Sequence, residues 1–371
     1  MDTAAYQLIY HQVLWAAFGL AAAFGVIAQR THFCTMGAVG DIVSMGDWTR
    51  MRMWALAAGV AVIGFQALAW SGQVDPAQTL YASPRFIWLS ALVGGLLFGL
   101  GMVMGSGCGS KTLIRIGGGN LKSLVVFGVM GIAAFATMKG ITAVLRVSTV
   151  DQVAVGFSTN ASLPAWLAQS TGMAPGSAGL LLGLLLGVVL IAWALASTAM
   201  RTQDGLLGGL GIGAVLVAMW WVSGHLGFVP EHPETLQATF VGTNSGRAEA
   251  FSFVAPIAYL LDWLMFFSDK SKQLSIGIVS VAGVVAGSAA YALATGGFRW
   301  EGFRNTEDTA NHVIGGVLMG VGGVTAMGCT IGQGLSGLST LSLTSFVALA
   351  GILLGGFLGM RWQIWRLERQ L

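Results

Sequence analysis

The chain has 371 residues, 55% of them hydrophobic and only 9% charged, with a formal net charge of +3. About a quarter of the residues in a soluble domain are charged, so this composition excludes an ordinary soluble protein and points to a polytopic membrane chain. The small positive balance is spread along the sequence with no basic cluster, which excludes a nucleic-acid-binding surface.

Met1–Tyr10 carries no positive n-region and the apolar run after it reaches Gln29, so the start is a membrane helix over Tyr6–Gln29 and not a cleaved signal. Further spans are predicted over Met51–Ser71, Phe86–Met104, Leu121–Leu145 and Ser177–Ala199. The remaining ones are Leu206–Leu226, Phe251–Phe267, Leu274–Ala294, His312–Thr325 and Leu341–Gln363. Ser148–Pro175, Val229–Arg247 and Gly296–Asn311 are polar connections. Arg361, Arg366 and Arg369 place the C-terminus in the cytoplasm by the positive-inside tendency. Glycines let membrane helices approach closely, so Gly179–Gly187 and Gly205–Gly213 are expected helix seams.

One segment occurs twice. Gly94-Gly95 leading to Gly107-Cys108-Gly109 superimposes without a gap on Gly315-Gly316 leading to Gly328-Cys329-Thr330, at a shift of 221 residues. A fainter match at a shift of 220 joins Phe33-Cys34-Thr35-Met36 to Phe253-Val254-Ala255-Pro256, with valine in place of the cysteine. The expected architecture is all-α, with two pseudo-symmetric halves of inverted topology whose broken, re-entrant half-helices meet at a central constriction. The first repeat covers 1–150, a connecting segment 151–176 and the second repeat 177–371.

Glycines before a thiol and small polar residues after it suit a helix ending, a tight turn and a new helix N-terminus, whose free N–H groups favour an anion. Unwound backbone at membrane depth is tolerated only where protein or a water-filled cavity covers it. Cys34, Cys108 and Cys329 are therefore the candidate pathway residues, with Gly107, Gly109, Gly328 and Thr330 shaping the turns. Arg30 and Lys111 would attract an anion, and Gln333 would hydrogen-bond its oxygens. Snorkelling to the headgroups is the alternative for Arg30, and Asp41 and Asp47 belong at the water interface.

Three cysteines without CxxC spacing weigh against a disulfide framework, a zinc finger and a membrane thiol–disulfide oxidoreductase. Gly117–Gly119 lacks a Walker A continuation, and neither HExxH nor GxSxG occurs, so no enzyme, cofactor or metal site is expected. Met36, Met102, Met104 and Met327 near the cysteine segments keep a Cu(I)-type channel open as an alternative.

Gln29-Arg30-Thr31-His32-Phe33-Cys34, the glycines before Cys108, and Gly328-Cys329-Thr330-Ile331-Gly332-Gln333-Gly334 resemble the motifs of the YeeE/YedE family of bacterial inner-membrane sulfur-compound transporters. The resemblance implies uptake of thiosulfate, with the three cysteines passing the anion inward by S–H hydrogen bonds. It also implies a small cytoplasmic sulfur carrier of the TusA type as partner. Thr31-His32 departs from the family pattern, and a selenium compound is the other substrate the resemblance allows.

Overall fold

A computed structural model describes residues 2–269 and 271–369. Among the described residues fifteen α-helices carry the fold. The first half contains α1 (Thr3–Arg30), α2 (Thr35–Met45), α3 (Thr49–Trp70), α4 (Trp88–Met104), α5 (Gly109–Gly117), α6 (Leu121–Lys139) and α7 (Ile141–Ser148). After it come α8 (Leu163–Thr171), α9 (Pro175–Leu195), α10 (Gln203–Leu206), α11 (Ile212–Trp221), α12 (Ala255–Met265), α13 (Ile276–Ala294), α14 (Thr306–Thr325) and α15 (Leu343–Glu368). A wide π-helical turn, Gly332–Gly337, precedes α15. Two small antiparallel ribbons complete the fold: β1 (Arg85–Phe86) pairs Arg85 with Gly156 of β2 (Val155–Gly156), and β3 (Phe228–Val229) pairs Phe228 with Phe240 of β4 (Thr239–Phe240).

Among the described residues eight helical segments are long and apolar enough to cross a bilayer. Two expected spans differ. α12 has only 11 residues, too few to cross at 1.5 Å per residue. α14 has 20 residues but opens with Glu307 and Asp308 in its first turn, and falls outside those eight. The helix expected over Leu121–Leu145 stops at Lys139, because Gly140 leaves helical geometry (φ −110°, ψ −153°) and α7 starts anew. The polar connection Ser148–Pro175 contains α8, which the hydropathy pattern did not reveal.

Two faces follow from the ends of the helices. On the face where α1 starts, Tyr10 Oη donates to the Leu274 carbonyl, and the Ile276 N–H that opens α13 donates to Gly242 O. On the opposite face Arg30 pairs with Asp204 at the start of α10, and Arg366 near the end of α15 pairs with Glu307. These are called the N face and the C face below.

Glycine fixes how the helices meet. A side chain on Gly94 would sit 2.7 Å from Gly322 O, and one on Gly101 would sit 2.8 Å from Gly315 O, so α4 and α14 run antiparallel at backbone contact. A Cβ on Gly95 would reach the Ala348 carbonyl at 2.5 Å, which seats α4 equally tightly on α15. The same arrangement recurs with α14 on α6, where a Cβ on Gly320 would meet Met130 O at 2.5 Å. The expected seams are present: Gly183 faces Gln66 of α3, and Gly213 faces Val60. α2 begins at Thr35 and α12 at Ala255, matching the weaker sequence repeat, and equivalent elements such as α4 and α14 point in opposite directions.

Candidate functional site

Each cysteine is presented by the same backbone device. α1 ends with the Thr31 N–H on Ile27 O and the Phe33 N–H on Ala28 O; His32 between them is left-handed at φ 52°. α4 ends with the Gly105 N–H on Gly101 O and the Gly107 N–H on Met102 O, around Ser106 at φ 56°. α14 ends with the Ala326 N–H on Gly322 O and the Gly328 N–H on Gly323 O, around Met327 at φ 58°. All three are Schellman endings whose left-handed position is occupied by a residue other than glycine. Two residues later a cysteine opens the next element. Cys34 Sγ accepts the Gly37 N–H at 3.3 Å, and Cys329 Sγ accepts the Gly332 N–H at 3.4 Å. Cys108 caps α5 in extended geometry, with Ser110 Oγ 3.3 Å from its sulfur.

The thiols are neighbours although up to 295 positions separate their numbers. Cys34 and Cys108 are close neighbours, and the Thr330 side chain lies against Cys108 from the other half. Cys329 sits beyond Thr330 and next to Phe253, which also faces Gly109. Cys108 and Cys329 are sealed from solvent while Cys34 is half-buried. Among the described residues no three His, Cys, Asp or Glu side chains gather as a metal site.

Around the thiols the other candidates divide. Lys111 stands beside both Cys34 and Cys108, and Arg50 and Arg115 share its neighbourhood. Gly107 leaves room for the Lys111 stem, which a Cβ there would meet at 3.2 Å. Gly328 similarly clears Gln333 Cγ, 3.0 Å from where its Cβ would lie. Arg115 Nη1 donates to the Ser106 carbonyl at 2.7 Å and so braces the hairpin. Arg30 points away, exposed and paired with Asp204 at 3.0 Å. Asp41, expected at the water interface, is instead buried and pairs with Arg50 at 2.8 Å, which supplies its counter-charge. Gln333 is buried; its amide nitrogen donates to Ala326 O at 2.6 Å and its oxygen accepts from Ser345 at 2.6 Å, which fixes the Cys329 turn.

On the N face a cavity of about 220 Å³ reaches this turn, lined by Tyr81, Arg85, Asp151, Met327, Gln333 and Ser342 among others. Tyr81 Oη donates to Gly332 O, tying the loop to the Cys329 turn. Sequence reasoning missed Tyr81 and Arg85, whose only signal was a tyrosine and an arginine close together in a loop between spans. Glu249, on the N-face loop before α12 and near Tyr81, has its carboxyl pushed up to about 7 by burial, against a hydrogen bond from Ser245 that favours the charged form.

The Cys329 turn thus borders a polar cavity through Met327 and Gln333, while Lys111, with Arg50 and Arg115 in its neighbourhood, stands beside Cys34 and Cys108. The family described as sulphur transport matches residues 30–358, which include all three cysteine segments. The chain belongs to the sulphur transport family. Thiosulfate transporter TsuA of Spirochaeta thermophila is 26% identical over 363 residues, 95% of this chain and 100% of that protein. Thiosulfate transporter TsuA of Escherichia coli K12 is 26% identical over 343 residues, 90% of each chain. As a member of the sulphur transport family with eight apolar helices long enough to cross a bilayer, this is a membrane transport protein and not an enzyme.

Proposed function

We propose that this protein imports thiosulfate across the bacterial inner membrane, handing the anion along Cys329, Cys108 and Cys34 by S–H hydrogen bonds. The observation that carries the reading is the approach of three thiols, each behind the same kind of helix ending, two of them sealed from solvent. A protonated thiol donates to a terminal sulfur without repelling an anion, and a weak donor releases what it holds, as conduction requires. Basic residues crowd the C face, among them Arg50, Arg115, Arg361 and Arg366, which supports that face as cytoplasmic. The N-face cavity is then the entrance, and Cys34 the last thiol before the cytoplasm. Lys111 draws the anion past Cys108, and a small sulfur carrier of the TusA type takes up sulfur where Cys34 opens. The two-repeat division at 1–150, 151–176 and 177–371 belongs to the same reading, with each half supplying one wall of the line.

The test is uptake of radiolabelled thiosulfate by a host lacking its own thiosulfate transporters. Cys108→Ala and Cys329→Ala each abolish uptake under this reading. Unchanged uptake in both variants removes it.

A further inference from the structure

We propose that the hydroxyl of Thr330 binds the oxygen end of the transported anion, so that the occluded line selects substrates carrying both a sulfur terminus and sulfonate-type oxygens. This deepens the thiol-line reading and rests on it.

Thr330 is fully buried, yet Oγ1 makes no properly formed hydrogen bond. Among the described residues only five buried side-chain polar atoms are left in that state. Two of them belong to Thr35 and Thr330, the residues that directly follow pathway cysteines. A buried hydroxyl without a partner costs about 1–3 kcal/mol, and valine would fill the same volume without that cost. Packing therefore gives no reason for a hydroxyl at this position. Its neighbour does: the Thr330 side chain lies against the Cys108 thiol, whose other contacts include Cys34, the Lys111 backbone N–H and Ser110 Oγ at 3.3 Å.

Around Cys108 the protein thus places soft donors and hard donors together. The thiols of Cys34 and Cys108 match a polarisable terminal sulfur. The O–H of Thr330, which leans on the Cys108 thiol without a well-formed hydrogen bond to any described residue, matches an oxygen that bears charge. Thiosulfate presents both ends. Hydrosulfide presents only the soft one and would leave Thr330 still unpaired, and a site built around a donor discriminates strongly against an analogue lacking the acceptor.

The experiment compares wild type with Thr330→Val, Thr330→Ser and Cys329→Ala in labelled thiosulfate uptake, with hydrosulfide as competitor and the thermal stability of each purified protein. In Thr330→Val the half-saturating thiosulfate concentration rises about tenfold or more, as expected for one lost hydrogen bond to a charged group. The preference for thiosulfate over hydrosulfide falls by the same factor, while thermal stability is unchanged or higher. Thr330→Ser behaves as wild type. If Thr330→Val keeps wild-type half-saturation and preference while Cys329→Ala abolishes uptake, this inference is overturned and the thiol line stands. If Thr330→Val loses thermal stability along with uptake, the hydroxyl is structural and the inference is overturned. If Cys329→Ala transports normally, the thiol line and this inference fail together.

Discussion

Gly94→Ala and Gly128→Ala are the same chemical change inside two membrane helices, and the structure assigns them opposite signs. Replacing a mid-helix glycine by alanine gains about 1 kcal/mol from helix propensity. At Gly128 no described residue comes within 4 Å of the new methyl beyond the helix's own backbone and the chain neighbours, so the gain is kept. At Gly94 the methyl would sit 2.7 Å from Gly322 O and 2.8 Å from the Thr325 carbonyl carbon, and would also meet the Ala326 amide. All three are backbone atoms of α14 and its C-terminal ending, and cannot swing aside as a side chain does. Overpacking of this kind costs about 1–3 kcal/mol, so against the gain of about 1 kcal/mol the net effect at Gly94 is a loss of up to about 2 kcal/mol. The displaced segment carries the turn at Met327 that presents Cys329, so thiosulfate uptake falls as well. The assay is thermal unfolding in detergent followed by tryptophan fluorescence, with uptake measured in parallel. Gly94→Ala should melt below wild type and Gly128→Ala at or above it. Equal melting temperatures for the two variants would refute the backbone-contact account of the α4–α14 seam.

Two further outcomes follow from backbone strain and from titration. Met327 occupies a left-handed position that glycine adopts without penalty, so Met327→Gly should raise the melting temperature by the equivalent of about 1 kcal/mol; a lower melting temperature would mean that the Met327 side chain packs more tightly than its half-exposed position indicates. Glu249 lies on an N-face loop outside the spanning helices, facing Ser245, Tyr81 and Tyr259, with its carboxyl pushed up to about 7. The folded state then holds a proton that the unfolded chain releases near pH 4.5, so stability declines as pH rises from about 4.5 to 7. The upper bound is about 3 kcal/mol, reduced by the carboxyl's partial contact with solvent. Melting curves at pH 5 and pH 8 should differ less in Glu249→Gln than in wild type, and identical pH slopes would contradict the assignment.

The glycine-cysteine repeat was legible because it is local. Its 221-residue shift reappears in the structure as matched Schellman endings around Ser106 and Met327, and the weaker shift of 220 as the starts of α2 and α12. That Cys34 shares the same ending was hidden, since His32, Ser106 and Met327 are not glycines and nothing in their identity announces a positive φ. Apolar stretch length overstated α12, because the run Phe251–Phe267 includes the approach to a half-helix as well as the helix itself. Arg30 looked like a pathway cation by its nearness to Cys34, but its partner Asp204 lies 174 positions along the chain, beyond any local pattern. The cavity formed by Tyr81, Arg85 and Met327 is a product of folding alone, since no spacing links a loop of the first half to a helix ending of the second.

Oxidative cross-linking of the native thiols most directly interrogates whether substrate travels between them. Copper phenanthroline should join Cys34 to Cys108, as read by peptide mass spectrometry, and the same treatment should stop thiosulfate uptake until dithiothreitol restores it. Full uptake through protein quantitatively cross-linked at that pair would show that the anion crosses elsewhere.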